Sequence, residues 1–167
     1  MDPATVAWLD QQDAWMRGTV RDYGWAVEYV GGVTCGHPGC GGGDADQPFG
    51  YTVGLHGIGH PELLLFGCGQ RVTLQVLNGL ATQVMQGVDL LHGQQCEVDG
   101  WPRAMTVVAV PNPEQILFAA YRFYRCDRPG AIEALQVCWS DSAGRFPWEP
   151  GCDADARRQP PPGAFAA

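Results

Sequence analysis

The sequence contains no lysine, so all ten of its cationic residues are arginine, and they face eighteen acids for a formal charge of −8. A surface of that sign excludes nucleic-acid binding spread over the whole surface, because there is too little positive charge to track a phosphate backbone. Long apolar runs are also missing. Nothing approaches the ~18 residues that span a bilayer, and Asp2 stands where a secretory leader would carry bases, so the expected setting is cytoplasmic with no membrane partner. Glycine-rich phosphate loops of the recognised types are absent, which counts against nucleotide ligands. Internal repeats are absent too. With 23 glycines and 13 prolines in 167 residues, long uninterrupted helices are few and a coiled coil is excluded.

What is present suits one folded domain. Apolar residues make up 46% of the chain and charged ones only 17%, which rules out disorder. The seven cysteines are odd in number and irregular in spacing, as expected of reduced thiols rather than a disulfide framework.

Asp2-Pro3 is a helix start, and Val6, Leu9, Met16, Val20 and Tyr23 keep one apolar face up to a stop at Gly24. Strands are expected over 25–30, 49–55 and 63–66, the last wholly apolar and therefore central. A long glycine-dominated loop fills 31–48, and helical spacing returns over 72–86. Residues 94–98 and 104–110 flank Asp99-Gly100, a hairpin pair, with Pro102 marking an edge. Asn112-Pro113-Glu114 opens a third helix running to about Arg125, and 132–140 is the last strand. The expected fold is α+β: a single compact domain over 1–155, a mostly antiparallel sheet of about six strands with about three helices, and a flexible C-terminal tail over 156–167.

Three segments in order, Phe49-Gly50-Tyr51-Thr52-Val53-Gly54-Leu55, Gly59-His60-Pro61-Glu62-Leu63 and Gly144-Arg145-Phe146-Pro147-Trp148-Glu149-Pro150-Gly151, resemble a bacterial family known as domain of unknown function 4262. The likeness spans roughly residues 24–151 and implies a compact domain, with no function to carry over. It marks His60, Pro61, Glu62 and 146–151 as matching the family pattern, while the stretch 35–46 and Cys68 depart from it.

Four places hold residue types that carry chemistry. His56, His60 and Glu62 are of the types that bind a divalent metal, but Gly57, Gly59 and Pro61 forbid a helix. The favoured alternative is therefore a turn in which His60 bonds backbone. Cys35, His37 and Cys40 supply three zinc-type ligands in the long loop, with Cys68, Cys152, His56 or Asp44 to complete the set and Cys152 or Cys68 the first choice; a reactive thiol pair is a further reading, and a loop with free thiols the plainer one. Cys68 precedes a helix, where a thiol pKa can be lowered for nucleophilic work, against a role as a small buried hydrophobe. In 146–151 the rigid backbone either presents Glu149 for function or locks the segment down, with Phe146 and Trp148 covering the core, so that truncating Trp148 would cost roughly 3 kcal/mol.

The leading expectation is a domain that binds a small ligand or a partner near the His60-Pro61-Glu62 turn, with Glu149 and Trp148 as further contacts. The alternatives are an enzyme, thiol-dependent through Cys68 and His60 or flavin-handling, and an interaction module that meets a basic partner through its negative surface.

Overall fold

The computed structural model describes residues 1–31, 47–154 and 156–167. Helix α1 spans Pro3–Tyr23; the Asp2 carboxylate caps it by accepting from the N–H of Ala4 and Thr5, and Gly24 ends it in the left-handed region. Strand β1 (Ala26–Val30) follows, then β2 (Phe49–Val53) and β3 (Glu62–Phe66). Helix α2 is Gln70–Met85, β4 Gln95–Cys96, β5 Met105–Ala109, α3 Phe118–Tyr124 and β6 Ala134–Trp139.

The six strands form one sheet in the order β1-β2-β3-β6-β5-β4. Every neighbouring pair is antiparallel except β3 and β6, which run parallel at the centre. These two central strands are buried along their whole length. The fold is thus the expected single α+β domain, and β4, reached through the Asp99-Gly100 turn, is the expected edge.

Because successive strand residues point to opposite faces, β3 sends Leu63 and Leu65 to one core and Leu64 and Phe66 to another. The first core lies under α2, with Val76, Leu77 and Leu80 against Val107 and Val137. The second lies under α1 and α3, with Met16, Ala119 and Ala120 against Phe49, Tyr51, Leu64 and Phe66.

Three expectations are corrected. The third helix is not continuous from Asn112: a 3-10 turn, Pro113–Gln115, is followed by non-helical backbone at Ile116 and Leu117 before α3 begins. Ile116 and Leu117 depart from helical backbone angles with both side chains buried, Ile116 at φ −130° and Leu117 at ψ 51°. Residues 156–167 are not a loose tail. Gln159 donates to Trp139 O and accepts from its N–H, Pro160 O receives the Gln136 amide, and the Phe165 ring lies 5.2 and 5.1 Å from those of Phe49 and Phe66.

The third correction concerns Trp148, which is 57% exposed and stacked on Phe146 at 5.1 Å rather than covering the core. The buried Asp141 carboxylate explains why: it accepts from the N–H groups of Ala143, Arg145 and Asp153, closing residues 141–153 at their base and leaving Trp148 on the outer part of the loop.

Candidate functional site

The connection between β2 and β3 is built around one carboxylate. Gly54 takes φ 135°, the chain makes a 3-10 turn at His56–Ile58, Gly59 reverses it in the left-handed region, and β3 starts at Glu62. Glu62 is fully buried. Its Oε1 accepts from Gly54 N–H (2.9 Å), His56 N–H (3.1 Å) and the Tyr124 hydroxyl (3.2 Å). Its Oε2 accepts from the Thr52 hydroxyl (2.6 Å) and Leu55 N–H (3.3 Å).

Both hydroxyls are themselves oriented, since Leu63 N–H donates to Thr52 and Gly57 N–H to Tyr124. Every partner of Glu62 is therefore a donor, and its capacity is filled from within the protein. Burial pushes its carboxyl above the usual range, while the hydrogen bonds from Thr52, His56, Gly54 and Leu55 pull it back.

His60 is buried and is likewise committed. Its Nε2 lies 3.1 Å from Leu90 N–H and accepts from it, so the ring proton sits on Nδ1, which donates to Pro61 O at 2.7 Å. The ring thereby ties the turn to the 88–92 loop, where Asp89 stands 3.9 Å from Nε2 with its carboxylate 75% exposed.

Between the turn and that loop lies a groove of about 480 Å³. Pro61, Leu90, Val110, Ile132 and Leu135 supply apolar wall, and the acids lining it are Asp89 and Glu133. No arginine lines it. His92 also faces it; its Nδ1 accepts from Ala109 N–H at 3.0 Å, which leaves Nε2 on the N–H side of the neutral ring.

Residues 19–153 match the family described as Domain of unknown function (DUF4262). The chain belongs to that family. No curated protein and no solved structure matches it.

Within this DUF4262 domain the residues singled out in the sequence are not brought to one place. His60 and Glu62 share the turn but face inward, and Pro61 with Gly59 lines the groove in their stead. Glu149 accepts from Phe146 N–H at 2.6 Å within the 141–153 loop. Trp148 borders a separate hollow of about 190 Å³ with Pro147 and the prolines at 160–162. His56 packs edge-on against Tyr124 at 4.7 Å.

Among the described residues no three His, Cys, Asp or Glu side chains are placed to hold a metal ion, so His56, His60 and Glu62 do not converge. Cys35, His37 and Cys40 lie outside the described residues. Cys68 is buried in the α2-side core with its thiol pushed up to about 11 by desolvation, the reverse of what a nucleophile at a helix start requires. No helix among the described residues is long and apolar enough to cross a membrane.

Asp89, His92, Glu133, Thr52 and Tyr124 escaped the sequence reading. Thr52 had a signal, a hydroxyl in an otherwise apolar strand. The others come together only through the tertiary fold.

Proposed function

We propose that the domain binds a small organic cation, an amine or guanidine carrying an apolar body, in the groove beside the His60-Pro61-Glu62 turn. The carrying observation is the lining itself: apolar wall around about 480 Å³, with Asp89 and Glu133 supplying negative charge and no arginine to oppose it. An apolar body gains from leaving water against Pro61 and Ile132, while a cationic end is drawn to the two carboxylates. His60 and Glu62 then serve as fasteners that hold the groove's edge in place, which preorganises it.

Calorimetric titration of amines and guanidines with short alkyl or aromatic chains, beside carboxylates of matched size, tests this. Binding confined to the cations, and weakened at least about tenfold by Asp89→Asn with Glu133→Gln, is the expected result. Both acids are exposed, so the variant keeps its fold. Preference for the carboxylates, or affinity unchanged in the double variant, overturns the proposal.

A further inference from the structure

Three side chains alone give the groove beside the His60-Pro61-Glu62 turn its polarity: Asp89 and His92 from the 88–92 loop, and Glu133 from the lead into β6. Every other lining residue is apolar or glycine. Ionised carboxylates can only accept hydrogen bonds, so Asp89 and Glu133 together ask for a cation rich in donors. His92 asks for the opposite. Its Nδ1 accepts from Ala109 N–H at 3.0 Å, which puts the ring proton on Nε2, and Nε2 meets no partner among the described residues.

That donor matters once the groove is filled. His92 is exposed, so in the open groove its Nε2–H is free to bond solvent. A ligand that covers it with alkyl chain strips that hydration and returns nothing, and a donor left unpaired is costly. A plain alkylamine has this defect, because its ammonium holds donors only and its body holds no acceptor. The matching ligand carries an acceptor beside its cation.

The acceptor has to be neutral. A carboxylate brought between Asp89 and Glu133 meets two like charges, whereas an uncharged carbonyl accepts from Nε2–H without repulsion. It also has to lie near the cation, since Asp89 and His92 are three residues apart and thus within ~11 Å of each other along the chain. An ammonium one carbon away from a neutral carbonyl meets both demands.

Resting on the reading of this groove as a cation site, we infer that its ligand is an α-amino amide with an apolar side chain. The ammonium pairs with Asp89 and Glu133, the carbonyl oxygen accepts from His92 Nε2–H, and the side chain lies against Pro61, Leu90 and Ile132. This group occurs both in free amino-acid amides and at the first residue of a peptide. His92 then separates an α-amino amide from a plain amine, and the two acids separate it from the free amino acid, whose α-carboxylate they repel.

Calorimetric titration of the full chain with leucinamide, 3-methylbutylamine and leucine tests the inference, because the three share one side chain and differ only at the α-carbon. At pH 7 all three amines are mostly charged, the α-amino pKa being ~7.7–8.0. Leucinamide is expected to bind at least about fivefold more tightly than 3-methylbutylamine and at least about tenfold more tightly than leucine.

In His92→Asn the amide oxygen can take the place of Nδ1 towards Ala109 N–H, while the donor at Nε2 is lost. The ratio of leucinamide to 3-methylbutylamine affinity should then fall towards one; a merely structural disturbance would weaken both ligands and leave the ratio. Leucyl-glycinamide bound within about tenfold of leucinamide assigns the group to peptide amino termini, and weaker binding assigns it to free amino-acid amides, either of which supports the α-amino amide. Leucinamide bound no more tightly than 3-methylbutylamine, or a preference that survives His92→Asn, overturns the inference and leaves the cation site standing. No binding of either compound removes the cation site and the inference with it.

Discussion

Glu62 shows how one side chain can hold a turn open to nothing but itself. Its two oxygens receive five donors, three backbone N–H groups and the hydroxyls of Thr52 and Tyr124. Glu62→Gln keeps the shape but turns an NH₂ towards a backbone N–H whichever way the amide is placed, Gly54 and His56 on one side and Leu55 on the other. The expected cost is roughly 3 kcal/mol in urea unfolding, as for a buried polar group left without a partner; a loss below about 1 kcal/mol would show that the turn is held by something else.

The buried thiols make a second prediction at this scale. Desolvation lifts Cys68 and Cys96 from 9.0 to about 11 and Cys138 to about 12. The unfolded chain gives up these protons from pH 9 upward while the folded chain keeps them, so stability is fully present below pH 9 and falls as pH rises towards 11 and 12. Each thiol contributes at most about 1.4 kcal/mol per pH unit. Urea midpoints should drop between pH 8 and 10, and less steeply in Cys138→Ala; parallel slopes would contradict the assignment.

Glycines decide how closely the elements approach. A Cβ on Gly54 would lie 2.5 Å from Gly24 O and 2.8 Å from Trp25 Cα, at a φ of 135° that side chains rarely adopt. Gly54→Ala is therefore expected to destabilise by about 3 kcal/mol, since backbone on both sides must move; a melting temperature within 2 °C or so of the parent would refute that. At Gly50 a Cβ would meet the Thr73 methyl of α2 at 2.5 Å, which is why β2 carries no side chain where the helix crosses it.

This is also where legibility in the sequence stops. Alternation and capping located all three helices and all six strands, because those signals are local. Asp2-Pro3 and Gly24 bound α1 as expected. The break at Ile116 and Leu117 has no local signal, since neither residue is a glycine or a proline. The site is half legible: the sequence marks Pro61 and the turn, but Glu62 reads as a ligand contact because a buried carboxylate and an exposed one look alike in sequence. Trp148 misled for the converse reason, as prolines and aromatics also build closed surface loops.

On the scale of the whole molecule, the family match ends at residue 153, yet the chain beyond it completes the sheet's covering. Phe165 closes over Phe49 and Phe66, Asn112 donates to Phe165 O at 2.8 Å, and Ala167 N–H reaches Gln115 O at 2.9 Å. The segment thus joins β2, β3, β6 and the 3-10 turn before α3, which are distant in sequence. Deleting residues 160–167 would expose two phenylalanine rings and leave the Gln136 amide without its acceptor at Pro160 O. Losing that apolar contact and that hydrogen bond together should lower stability by about 3 kcal/mol or more. Urea unfolding of the truncated chain measures this, and Phe165→Ala alone should account for the larger part because the ring supplies the apolar contact. If truncation instead costs under about 1 kcal/mol, the sheet face beneath is self-sufficient and the segment merely rests on it.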